Sequence, residues 1–125
     1  MEIIIAEDDP VNQKVTQLML KKLGIYAEAT DNGLEVLQAL ERQHYDIVLM
    51  DIQMPELDGI EATRIIRKRW PRGPKIIMIT DCDSRTHREP CMAAGADDFL
   101  AKPIMVNELK EAIEHCRIAE TISAI

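Results

Sequence analysis

Five short strand-like runs, three of them dominated by isoleucine and other aliphatic residues, punctuate this chain, and each is followed within a few residues by a segment with helical spacing. They fall at residues 2–6, 25–29, 46–51, 74–80 and 97–101. Ile3-Ile4-Ile5 and Ile47-Val48-Leu49-Met50 lack polar alternation, the habit of strands buried on both faces. Such strands occur where helices cover both sides of a parallel sheet. The alternation therefore predicts one three-layer α/β domain over residues 1–125, with right-handed crossovers.

The helical segments carry their own boundaries. Asp9-Pro10 reads as N-cap and first helical residue, Val11, Val15, Leu18 and Met19 as the apolar stripe of the first helix, and Gly24 as its stop. Asn32-Gly33 precedes a second helix with Leu34, Leu37 and Leu40 on one face, ending near Gln43-His44. A third helix runs from about Asp58 to Arg69, with Ile60, Ile65 and Ile66 inward and Trp70-Pro71 ending it. Its basic end, Arg64, Arg67, Lys68 and Arg69, is expected to be a solvated helix terminus. The fourth, about Ser84–Ala94, contains Pro90 and is expected to begin late, kink or carry a mobile first half. The last spans about Val106–Ala119, with Val106, Leu109, Ile113 and Cys116 together.

A length of 125 residues suits one core without disulfides or structural metal. Cys82, Cys91 and Cys116 form no C-x-x-C pair, which points to a reduced compartment, and the start shows no signal-peptide pattern. A cytoplasmic location without membrane contact by this domain is the expectation, as a free protein or as the cytoplasmic part of a membrane-bound one, since no apolar run approaches the roughly 20 residues of a membrane span. A formal charge of −7 and few aromatic residues argue against binding nucleic acid. His44, His87 and His115 lack partners at ligand spacing and are expected at the surface, while the methionines are expected to fill core.

Chemistry concentrates at the C-terminal tips of the strands, where open α/β sheets place their sites. Glu7 and Asp8 follow the first strand, Asp51 ends the third, Thr80 ends the fourth, and Lys102 follows the fifth. Three carboxylates in one cleft repel one another unless a cation joins them. Few carboxylates and room for water suit Mg²⁺, or Mn²⁺ in its place. Asp51 then becomes a nucleophile toward a phosphoryl group, with Lys102 as counter-charge and the Thr80 hydroxyl as donor to the new phosphate.

Over nearly its whole length the chain resembles the response-regulator receiver domains of two-component signalling. The likeness rests on Ala6-Glu7-Asp8-Asp9, Met50-Asp51-Ile52-Gln53-Met54-Pro55 with Asp58-Gly59, Thr80, Ala94-Gly95-Ala96-Asp97-Asp98-Phe99 and Lys102-Pro103. It implies a flavodoxin-like (βα)5 fold with strand order 2-1-3-4-5. It also implies Asp51 as phosphoacceptor, Asp8 as direct metal ligand, Glu7 acting on the metal through water, and the Gln53 carbonyl as a further ligand. Thr80 and Phe99 would form a switch pair, Lys102 would bind phosphate, and the Lys102-Pro103 bond would be cis. The stretches from Glu7 to Lys14 and from Met50 to Gly59 are most similar to receivers of hybrid sensor histidine kinases, so the expected partner is a histidine kinase or a histidine phosphotransfer domain. A domain of this kind assists its own phosphorylation and dephosphorylation, and a phosphorylation-dependent dimer is an expected assembly.

Three residues depart from the family pattern. Asp81 stands where a small residue borders the path to the acyl phosphate, and is expected to slow phosphoryl entry or alter hydrolysis. Pro90 interrupts a helix of the output face, and Met105 replaces a common capping residue before the last helix. Rival chemistries fit less well. A flavin phosphate would meet Glu7-Asp8-Asp9, no G-x-x-x-x-G-K-[ST] loop is present, and a haloacid-dehalogenase-type phosphatase needs a carboxylate where Gln53 stands. The remaining alternative is a receiver-like scaffold that binds partners without being phosphorylated.

Overall fold

The computed structural model describes residues 1–54, 56–80 and 84–124, with 84–88 and 118–124 described as backbone alone. Strands and helices alternate as β1 (Ile3–Ala6), α1 (Pro10–Lys22), β2 (Ala27–Thr30), α2 (Gly33–Arg42), β3 (Ile47–Asp51), α3 (Gly59–Arg69), β4 (Lys75–Thr80), α4 (Ser84–Ala94), β5 (Asp98–Ala101) and α5 (Val106–Ala124). All strand pairs are parallel and the order is β2-β1-β3-β4-β5, the expected topology. Strand order reverses between β1 and β3, which opens a crevice at their C-terminal ends.

β1 and β3 are buried at every residue, as continuous apolar runs require. Alternate side chains feed two cores. Ile4, Val48, Met50, Ile76 and Met78 pack with Val36, Ala62 and Ile66 of α2 and α3 on one face. Ile3, Ile5, Leu49 and Ile77 pack with Leu20 of α1 and Leu109 and Ile113 of α5 on the other. Asp9, Asn32 and Asp58 cap α1, α2 and α3 through their side chains, each accepting a backbone N–H of the first turn. Gly24 takes the left-handed conformation that ends α1, at φ 80°.

Several expectations need correction. The row Val11, Val15 and Leu18 does not face the sheet: these residues are 68%, 43% and 55% exposed, and the buried positions of α1 are Thr16 and Leu20. Periodicity locates a stripe but does not say which side meets the sheet, and here the β-branched Thr16 fills the contact. Leu34 is likewise exposed, whereas Leu37 is buried as expected and shares the inward face of α2 with Val36 and Ala39. The basic end of α3 is not uniformly solvated, because Arg67 donates to the Gly95 carbonyl at 2.8 Å and to Asp97 at 2.5 Å. Of the outcomes expected for α4, a late start is not seen: the helix begins at Ser84 and continues through Pro90. Pro90 is exposed, so water can serve the carbonyl that its missing N–H leaves without a donor. α5 continues to Ala124 because neither glycine nor proline follows Ala119 to stop it.

Met105 supplies no capping side chain to α5, although its carbonyl accepts the Leu109 N–H. Cys91 and Cys116 are buried and stand outside any disulfide, and Cys82 lies outside the described residues. His44 and His115 have side chains 76% and 75% exposed, each beside a carboxylate. No helix among the described residues is long and apolar enough to cross a membrane.

Candidate functional site

The crevice above β1 and β3 forms an open cleft of about 810 Å³ lined by Glu7, Asp8, Asp51, Gln53, Asp58 and Lys102. Asp51 is the last residue of β3 and lies in register with Ile79, so a buried strand delivers its carboxylate to the mouth of the cleft. Its Oδ1 accepts the Gln53 N–H at 3.2 Å, and its Oδ2 accepts from the Lys102 ammonium at 3.1 Å. The turn beyond it requires Gly59: a Cβ there would overlap the Asp51 carbonyl oxygen, and only hydrogen lets α3 start this close to the β3 tip. The Gly59 N–H donates to the Ile52 carbonyl at 2.9 Å, which fixes that approach.

Glu7 and Asp8 enter from the β1 tip. One carboxylate oxygen from each of Glu7, Asp8 and Asp51 can be chosen so that all lie within 4.8 Å of one another. Glu7 and Asp51 are buried, whereas Asp8 is exposed. Lys102 crosses from the end of β5 and also donates to Glu7, at 3.0 Å. One ammonium thus faces three carboxylates.

The electrostatics record that imbalance. Burial pushes the Glu7 carboxyl above its ordinary range, and its contact with Asp51 adds to this while Lys102 opposes it. Asp8 is also raised, first by partial burial and then by Glu7. For Lys102 the largest single influence is burial, which favours the neutral amine, but Glu7 and Asp51 together outweigh it and hold the ammonium above its usual value. A divalent cation with oxygen ligands fits this donor set: three carboxylates, two with raised pKa, lie close enough to share an ion and have one lysine between them.

Thr80 ends β4 one residue beyond the partner of Asp51 and is buried. Phe99 pairs with Met78, and Ala101 with Thr80, across β4 and β5. Parallel partners share a face, so the Thr80 hydroxyl and the half-buried Phe99 ring lie on the same side of the sheet, where Phe99 packs against the core beneath α2, α3 and α4. The Lys102-Pro103 peptide is cis. Asp81 lies outside the described residues. The structure thus gathers Glu7, Asp8, Asp51, Gln53 and Lys102 around one cleft and sets Thr80 and Phe99 along the adjacent strands. Sequence reasoning missed Gln13, a polar residue of the first α1 turn whose amide reaches the Glu7 carbonyl. Its signals were membership in the Glu7–Lys14 stretch and proximity to an acidic loop.

An open parallel sheet with a carboxylate cleft at its switch point, bridged by a lysine from the last strand, defines a class of α/β signalling domain. Within that class the chain belongs to the response regulator receiver domain family, whose model matches residues 3–114. It is 41% identical over 122 residues to hybrid signal transduction histidine kinase K of Dictyostelium discoideum, covering 91% of this chain and 10% of that protein. The chain therefore spans about a tenth of that relative's length. Among solved structures it is similar to the receiver domain of a sensor histidine kinase from Pseudomonas aeruginosa, with a magnesium ion coordinated in the active-site cleft. The two share 41% identity, with 91% and 94% of the chains covered and a TM-score of 0.83. It is also similar to the receiver domain of a Saccharomyces cerevisiae response regulator, solved with a histidine phosphotransfer protein. There the identity is 26%, the coverage 90% and 86%, and the TM-score 0.84.

Proposed function

We propose that residues 1–125 act as a single phosphoacceptor receiver that takes a phosphoryl group onto Asp51 from a phosphohistidine of a histidine kinase or a phosphotransfer domain. The observation that carries this reading is the convergence of Glu7, Asp8 and Asp51 within 4.8 Å, with Lys102 hydrogen-bonded to two of them. Glu7, Asp8, Asp51 and the Gln53 carbonyl would hold Mg²⁺ or Mn²⁺. When bound, the cation neutralises the cleft and stabilises charge on the phosphoryl oxygens.

The chain's own residues supply the rest. An Asp51 carboxylate oxygen attacks phosphorus, the P–O bond forms as the P–N bond breaks, and the imidazole leaves. Lys102 follows the charge from the carboxylates to the new phosphate, and the Thr80 hydroxyl donates to it while Phe99 turns inward. The exposed row Val11, Val15 and Leu18 on α1 offers the donor protein an apolar docking face.

Acetyl phosphate with Mg²⁺ should add the mass of one phosphoryl group, and Asp51→Asn should abolish the addition. Intact mass spectrometry reads both results. No Asp51-dependent addition, together with no spectral response to beryllofluoride, would instead mark a scaffold that works without phosphorylation.

A further inference from the structure

Gln13 is half-buried in the first turn of α1. Its Nε2 lies 2.5 Å from the Glu7 carbonyl oxygen, 2.9 Å from the Thr30 carbonyl oxygen and 2.8 Å from Asp31 Oδ1. Three acceptors meet a group with two protons, so the amide is fully committed to protein oxygens. The Glu7 N–H donates to the Thr30 carbonyl at 3.1 Å, and the Thr30 hydroxyl donates to the Ile5 carbonyl at 2.8 Å. Gln13 thus completes a hydrogen-bonded ring between the β1 tip and the turn after β2.

The contacted carbonyl belongs to the peptide that joins Glu7 to Asp8. Because a peptide unit is planar, holding its oxygen restrains the whole unit, including the two Cα atoms from which the Glu7 and Asp8 side chains leave. Such fixing matters where relaxation would be favourable. Freed from restraint, Glu7 and Asp8 would swing away from each other and from Asp51, since like charges at this distance repel. Lys102 restrains Glu7 and Asp51 directly, but among the described residues it makes no hydrogen bond to Asp8.

We propose that Gln13 is a positioning residue for the cation site, its amide holding the Glu7–Asp8 peptide in ligand geometry before a divalent cation arrives. This rests on the reading that the cleft takes such a cation. Gln17 provides the control: its Nε2 donates to the Ala27 carbonyl at 2.9 Å, the same kind of α1-to-β2 tie one turn farther from the acids.

Titration calorimetry with MgCl₂ on the unmodified chain, Gln13→Ala, Gln13→Met and Gln17→Ala separates the roles. Both Gln13 variants should bind Mg²⁺ about tenfold more weakly, while Gln17→Ala stays within about twofold of the unmodified chain at a comparable loss of Tm. Equal affinities in the Gln13 variants and the unmodified chain would overturn the positioning role alone. Absence of Mg²⁺ binding by the unmodified chain would overturn the cation reading with it. Should the Gln13 variants not fold, hydrogen exchange in the unmodified, metal-free chain decides. Slowed exchange of the Gln13 side-chain amide supports the proposal, and exchange as fast as in a free amide overturns it.

Discussion

The two ends of the sheet treat charge in opposite ways. At the N-terminal end, Asp97 accepts from Arg67 at 2.5 Å and from the Ile76 N–H at 2.8 Å, with the Lys75 ammonium at 3.9 Å. Asp46 there accepts the Glu2 N–H at 2.7 Å. These carboxylates have donors or cations to spare, and the cavity beside them, about 620 Å³, is lined by Arg67, Arg72, Lys75, Asp46 and Asp97. At the C-terminal end three carboxylates cluster around one ammonium, and Lys102 pairs with only two of them, Glu7 and Asp51. Paired charge closes a structure, whereas charge left short of a partner prepares it to accept one. The same backbone spacing serves both ends, so the difference lies in which side chains the strand tips and the neighbouring helix end bring to them.

Supplying the missing cation should have the largest effect. Mg²⁺ at a hundred times its dissociation constant should stabilise the chain by about 2.7 kcal/mol, an effect that K⁺ at matched ionic strength does not reproduce in thermal unfolding. The binding should also release protons. A Glu7 carboxyl held above its ordinary value of 4.5 favours the metal-free fold below that pH, and this contribution is lost as pH rises through the folded value. Mg²⁺ affinity should accordingly climb with pH across the same window, with proton release seen in calorimetry run in buffers of different ionisation enthalpy.

Removing charge at the balanced end should cost about 2 kcal/mol. Asp97→Ala leaves the Ile76 N–H and the Arg67 Nη2 without their acceptor, while Arg67 Nε keeps the Gly95 carbonyl, and urea unfolding should show the loss. The smallest effect has the opposite sign. Without metal, Asp8→Asn should stabilise the chain by about 0.5 kcal/mol after solvent screening, and the same variant should lose most of the Mg²⁺ stabilisation. A destabilising Asp8→Asn, or a neutral Asp97→Ala, would break the contrast between the ends.

Most of the architecture was legible because it rests on local signals. Apolar runs marked the strands, Asp9, Asn32 and Asp58 marked helix starts, and the tip residues followed from counting to the end of each run. What escaped depended on orientation or on distant partners. The stripe on α1 was visible, but the side that meets the sheet is set by Thr16 and Leu20, and nothing in the spacing distinguishes them from Val15 and Leu18. Arg67 looked like any solvated helix end until the fold brought Gly95 and Asp97 to it. Gly59 read as a turn residue, yet its stricter duty is to leave room for the Asp51 carbonyl.

The Lys102 N–H donates to the Thr80 carbonyl at 2.6 Å. The backbones of Lys102 and Thr80 are therefore tied together directly. Neither can be translated toward an arriving ligand without dragging the other. Motion at this corner is left to the rotation of side chains about a common frame, so an event at the ammonium would reach the end of β4 as torque rather than as displacement.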